Sequence, residues 1–333
     1  MTENDEYIIA LDLGGTNSVF GVVDRIGKII ETTSISSIGY TSAESYVSEC
    51  LKVINPFLSK YGSKIKGIGI GAPDVNQYKK TIEYATNLPW AHDKVVPIAK
   101  MFSDQLNNFP VGITNDANAA AIGEKKFGIA KDFKNFIVLT LGTGIGSGIF
   151  IDNKLLLGSD SFAGELGHIK IIRENGRKCE CGKNGCLESY CSANGVVKTA
   201  IEILNDNPNE KSILRNIQNL NSYEISKAAE NGDSLAKKVF EETGKKIGWA
   251  CADFAAFSSP EAFIFFGGLT GAGDLLMNPI VKYYNETVMP VFKNKPKFLV
   301  SGLDGTNAAI LGAAAIGWEN YYNKLIYLFF FFN

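Results

Sequence analysis

Apolar residues in this chain gather into short continuous runs that stop at glycine. Tyr7-Ile8-Ile9-Ala10-Leu11 leads into Asp12-Leu13-Gly14-Gly15-Thr16, residues 19–24 follow, and a turn at Gly27 opens Lys28-Ile29-Ile30. That pattern reads as three strands in a meander. It recurs later: Phe136-Ile137-Val138-Leu139-Thr140-Leu141 meets the turn Gly142-Thr143-Gly144, then come Gly148-Ile149-Phe150-Ile151 and Lys154-Leu155-Leu156. Two related halves are therefore expected.

Between and after the meanders the period changes from continuous runs to helical spacing. Thr41 with Glu44 has the form of a capping box, and Val47, Cys50, Leu51, Ile54, Phe57, Leu58 and Tyr61 then share one helical face. Residues 65–71 predict a buried strand, 95–106 a helix, 111–114 a short strand, and 117–127 a helix behind the capping types Asn115 and Asp116. The second half predicts helices over 188–204, 223–231 and 234–257, the last stopped before Pro260, and a strand over 262–266 that delivers Gly267-Gly268. A helix over 274–291, a strand at 298–300 and an apolar closing helix over 307–322 complete the pattern. Strands alternating with helices give an α/β protein. No Pro- or Ser-rich linker separates the halves.

A length of 333 residues exceeds a single small core and fits two domains. The net charge of -2 and pI near 5.9 give no global attraction to nucleic acid or to an anionic membrane, so a small-molecule partner is expected. The acidic opening Met1-Thr2-Glu3-Asn4-Asp5-Glu6 lacks the basic region and apolar core of an export signal, which predicts a cytoplasmic protein. In that compartment six cysteines read as thiols and metal ligands, with Cys50 and Cys251 as core thiols. The apolar ending, Leu325-Ile326-Tyr327-Leu328 and four phenylalanines, is too short to span a bilayer.

The chemistry-bearing residues fall in a few places. Cys179, Cys181 and Cys186 follow shortly after His168, and one imidazole with three thiolates is a tetrahedral zinc set. Gly182 and Gly185 let so short a loop turn back on itself. Glu165 and Glu188 bracket the ligands, so the loop is either a plain zinc knuckle with surface glutamates or the wall of a polar pocket. In Asp12-Leu13-Gly14-Gly15-Thr16 the backbone N–H groups and the Thr16 hydroxyl suit a phosphate and Asp12 suits Mg²⁺; a plain hairpin turn is the other reading. The second turn, containing Thr143 and Gly144, has Gly-x-Gly-x-Gly spacing but continues as a strand, which excludes both a dinucleotide fingerprint and a P-loop. Paired turns of this kind could grip a triphosphate across a cleft. Gly267-Gly268 offers close approach to a base or ribose, or is simply a strand end. Asp116 stands where a strand ends and a helix begins, and is either an N-cap or a base that takes a proton from a substrate hydroxyl.

Taken together, these segments resemble the ROK family of sugar kinases and repressors, on the side of its bacterial glucokinases. The resemblance runs from Asp12-Leu13-Gly14-Gly15-Thr16 through Gly71-Ala72-Pro73, Asn87-Leu88-Pro89-Trp90, Asn115-Asp116-Ala117-Asn118 and residues 141–148 to Glu165-Leu166-Gly167-His168, Cys179 to Glu188, and Gly267-Gly268. The Glu-x-Gly-His and Cys-x-Cys-Gly-x-x-Gly-Cys-x-Glu pair is its most specific part. It implies a duplicated ribonuclease-H-like, actin-type ATPase fold, with residues 1–116 plus 306–333 as the smaller lobe, 117–305 as the larger lobe with the zinc loop, and a central cleft. It further implies ATP-dependent phosphorylation of glucose at the 6-hydroxyl, with fructose, N-acetylmannosamine or N-acetylglucosamine as other substrates and a non-catalytic sugar sensor as the rival. Asp116 becomes the base; Asn87, Asn115, Glu165, His168 and Glu188 become sugar ligands; zinc is structural, Mg²⁺ comes with ATP, and the protein is a homodimer. Where the family often has Gly-x-Pro-Gly, this chain has Gly71-Ala72-Pro73-Asp74. Family repressors add an N-terminal DNA-binding module, for which a first strand near Tyr7 leaves no room, so a kinase is expected.

Overall fold

The computed structural model describes residues 6–303 and 305–331, the backbone alone at 305–307 and 324–331. The chain forms two compact units: one runs to Asp132 and includes Leu155–Ala163 and the chain from Gly302 onward, and the other comprises Phe133–Lys154 and Gly164–Ser301.

In the first unit, strands β1 (Tyr7–Leu13), β2 (Asn17–Asp24) and β3 (Ile29–Ser36) form the expected antiparallel meander. Helix α1 (Ala43–Tyr61) is followed by β4 (Ile65–Ala72), the short β5 (Val75–Asn76), β6 (Thr81–Glu83) and β7 (Val95–Val96), then α2 (Ile98–Gln105), β8 (Val111–Asn115) and α3 (Asp116–Lys126). Strands β4 and β8 join β1 in parallel, giving the order β3-β2-β1-β4-β8. Three corrections to the sequence reading have local causes. The α1 cap is Ser42, not Thr41, with Ser42 and Ser45 exchanging side-chain and backbone bonds. The predicted helix over 95–106 begins only after Pro97, its first residues being spent on β7. Strands β5 to β7 form a separate small sheet with too few residues each to show a period.

The second unit repeats the plan. β9 (Phe136–Leu141), β10 (Ile145–Ile151) and β11 (Lys154–Leu155) make the meander. The single helix expected over 188–204 is broken at Ser192, which caps the second piece, into α4 (Glu188–Cys191) and α5 (Ala193–Asp206). After α6 (Ser222–Glu230), α7 (Ser234–Ser258) and β12 (Ala262–Phe266), α8 stops at Thr287 (Asp274–Thr287), and β13 (Lys297–Val300) leads to α9 (Gly305–Phe331). The order β11-β10-β9-β12-β13 matches the first sheet strand for strand. This is the duplicated ribonuclease-H-like, actin-type architecture.

Each sheet is buried where its helices cover it. In the first unit α1 and α2 lie over a core that includes Leu11, Phe20, Ile54, Ile70 and Phe102, while α9 packs Ile310, Ala313 and Trp318 onto Ile8 and Ala10 from the closing end of the chain. Gly69 of β4 permits that approach, since a Cβ there would collide with the carbonyl of Ala313. Cys50 and Cys251 are fully buried free thiols. Among the described residues no helix is long and apolar enough to cross a membrane, and the side chains of the C-terminal phenylalanine run lie outside the described residues.

Candidate active site

In the first unit the carboxyl ends of three parallel strands lie side by side. Asp12 of β1 stands opposite Gly71 of β4, and Ala72 stands opposite Asn115 of β8. This is the edge at which open α/β sheets offer ligand sites. The turn beyond Asp12 is closed by Gly14 N–H donating to Asn17 O at 3.0 Å. Gly15 lies against Asn87: a Cβ on it would stand 3.2 Å from the Asn87 Cβ. Asn87 is exposed, on a loop anchored by fully buried Leu88 and by Trp90, whose ring stacks on Tyr46 at 4.8 Å. Asn87 is thereby brought to the Asp12–Thr16 turn.

Asn115, not Asp116, is the cap of α3, its side-chain oxygen accepting from Ala117 N at 2.9 Å. Asp116 is the first helical residue and is exposed, with one carboxylate oxygen accepting from the same Ala117 N at 2.7 Å. Asp12 is half-buried, and burial first, then the nearby negative charge of Asp116, pushes its pKa up to about 6 from 3.8. A carboxyl held beside a second carboxylate makes a favourable place for a cation. Asp74, at the position where the family often has glycine, takes φ 51°, so it adopts the left-handed conformation that aspartate tolerates better than most residues.

In the second unit the turn at 142–144 is closed by Gly142 N–H donating to Gly144 O at 3.0 Å, and Gly146 N–H donates to Thr140 Oγ1 at 2.9 Å. Strand β12 lies parallel beside β9, with Phe266 opposite Thr140, so Gly267-Gly268 leaves the sheet next to this turn. Gly267 has φ 111°, and a Cβ there would stand 2.6 Å from Leu141 O.

The metal loop also belongs to this unit. One ligand atom from each of His168, Cys179, Cys181 and Cys186 lies within 4.8 Å of the others. Cys181 Sγ is 3.7 Å from Cys186 Sγ, and Cys179 Sγ is 3.7 Å from His168 Nδ1. A tetrahedron with Zn–S bonds of about 2.3 Å has edges of about 3.8 Å, so donor chemistry and spacing both fit zinc. Gly182 and Gly185 take φ 86° and 82°, the left-handed turns expected of them. Burial pushes the Cys179 thiol up to about 12, a setting that keeps its proton until a cation displaces it. His168 Nδ1 thus faces the thiols, while its Nε2 lies 4.0 Å from Glu165. Glu188 Oε1 lies 4.0 Å from His168 Nδ1. Its other oxygen accepts from Ile145 N at 2.9 Å, a contact that sequence spacing gave no sign of.

The family model described as ROK family matches residues 8–319. A glucokinase of Streptomyces coelicolor is 34% identical, the match covering 93% of this chain and 97% of that protein. A xylose repressor of Caldicellulosiruptor bescii is 32% identical over 76% of this chain and 62% of its own length. Among solved structures, a ROK family glucokinase of Streptomyces griseus in complex with glucose and AMPPNP has a TM-score of 0.78 and 32% identity, covering 94% of this chain and 99% of that one.

Proposed function

The chain belongs to the ROK family, and from that premise we propose that it is an ATP-dependent sugar kinase that phosphorylates glucose at the 6-hydroxyl. The observation that carries this reading is the place of Asp116: exposed at the carboxyl end of β8, in the residue after Asn115, the cap of α3. A carboxylate so placed takes the proton of the sugar hydroxyl as that oxygen attacks the γ-phosphate. The amide of Asn115, the carboxamide of Asn87, and Glu165, His168 and Glu188 are assigned to the remaining sugar hydroxyls.

For the nucleotide, the turn of Gly14, Gly15 and Thr16, with the Gly15 N–H and the Thr16 hydroxyl, and the turn of Thr143 and Gly144 are assigned to phosphate, while Gly267 and Gly268 are assigned to the base or ribose. Asp12 holds Mg²⁺ or its waters, which offset the negative charge of the phosphates. His168, Cys179, Cys181 and Cys186 hold a structural zinc, which fixes the tautomer of His168 so that Nε2 faces outward. The protein is proposed to work as a homodimer in the cytoplasm.

The repressor relative supports a second reading, a sensor that binds sugar without turnover. ADP release coupled to a reporter, run with glucose, fructose, N-acetylmannosamine and N-acetylglucosamine, separates the readings. The kinase account expects ADP release that depends on sugar and is greatest with glucose. Release with another hexose alone moves the specificity; no release with any sugar, together with a raised Tm, establishes the sensor.

A further inference from the structure

The turn assigned to phosphate in the second unit is gripped from behind by the segment that leaves the metal loop. Ala193, the first residue of α5, donates its N–H to Gly142 O at 2.8 Å. At the other end of the turn Ile145 N–H donates to Glu188 Oε2 at 2.9 Å. The same oxygen fills the space behind Gly144, where a Cβ would stand 2.6 Å from it. Gly167, between Glu165 and His168, packs so closely on Ile145 O that a Cβ there would collide with it. Ser147 Oγ donates to Gly164 O and accepts from Leu166 N. Among the described residues the N–H groups of Thr143 and Gly144 donate to no protein acceptor, so the clamp immobilises the turn and leaves those two donors for a ligand.

We propose that Glu188 is a positioning residue for the nucleotide: by holding Ile145 N–H and backing Gly144 it sets the turn whose free amides meet phosphate. The inference rests on the reading of that turn as a phosphate site, and it gives Glu188 a task independent of any sugar contact. A carboxylate with one oxygen on the turn and the other 3.5 Å from Cys179 Sγ also makes the order of the turn depend on the order of the metal loop.

The test is calorimetric titration of AMPPNP with Mg²⁺, in the absence of sugar, into the wild type, Glu188→Gln, Glu188→Ala and Gly144→Ala, with zinc content and Tm measured on each. Glu188→Ala leaves Ile145 N–H unpartnered and is expected to weaken AMPPNP about tenfold or more. Glu188→Gln keeps an acceptor oxygen and is expected within about threefold of wild type, a rescue that general loss of structure would not give. Gly144→Ala pushes the carboxylate aside with Glu188 itself intact and is expected to resemble Glu188→Ala. AMPPNP affinity unchanged in both alanine variants overturns the inference, even if Glu188→Ala loses sugar binding and the kinase reading stands. A wild type that binds no AMPPNP overturns both.

Discussion

The two sheets have the same strand order, yet their functional edges are chemically opposite. In the first, the carboxyl ends of β1 and β8 carry Asp12 and lead into Asp116. In the second, the counterparts are β9, which ends in Thr140-Leu141, and β13, which leads into Ser301, and the acid brought near, Glu188, is turned onto the backbone and the metal loop. Duplication preserved the backbone geometry and let the side chains diverge. Burial first, and the charge of Asp116 second, raise the pKa of Asp12, and the second unit offers hydroxyls, N–H donors and a metal loop where the first adds acids.

The sharpest way to break this contrast is to remove the acid assigned to chemistry. Asp116→Asn is expected to lower turnover by ~10²–10⁴, as loss of a general base does, while sugar binding measured by calorimetry changes little. Unchanged turnover would remove Asp116 from the reaction and erase the distinction between the units.

The metal loop tests the other side. Losing a residue that only supports a metal ligand costs roughly 10–100-fold in metal affinity, and Cys181→Ser removes a ligand itself, so zinc affinity should fall by at least that much and the sugar KM should rise. Elemental analysis with steady-state kinetics checks this; full zinc and normal kinetics would refute the ligand set.

The smallest expected effect concerns stability. The Asp12 pKa is raised in the folded state, so its ionisation opposes folding: stability from this group is fully present below pH ~3.8 and is lost as pH rises through about 6. Asp12→Asn should therefore raise the metal-free protein's stability above pH 6, by up to about 3 kcal/mol, and the gain should vanish near pH 4. Denaturant midpoints across that range decide it, and a gain independent of pH would show that the carboxylate is not the cause.

Much of this was legible in the sequence, for identifiable reasons. β1 and β9 are dense apolar runs ended by glycine, a signal that survives without tertiary context. The four metal donors lie within one short stretch of chain. What could not be read depends on contacts or single turns. Ser192 interrupts an otherwise helical spacing because its side chain caps α5; β5, β6 and β7 are too short for a period; and the bond from Ile145 to Glu188 joins residues 43 positions apart. That Asn115 is the cap and Asp116 the first, exposed residue of the helix could not be told from residue type, since both types suit either position.

The central claim is that Asp116 meets the sugar hydroxyl that is phosphorylated, and diffraction from crystals soaked with glucose tests it most directly. The account predicts the 6-hydroxyl oxygen within about 2.6–3.2 Å of an Asp116 carboxylate oxygen. Glucose bound with its 6-hydroxyl remote from Asp116 would contradict it.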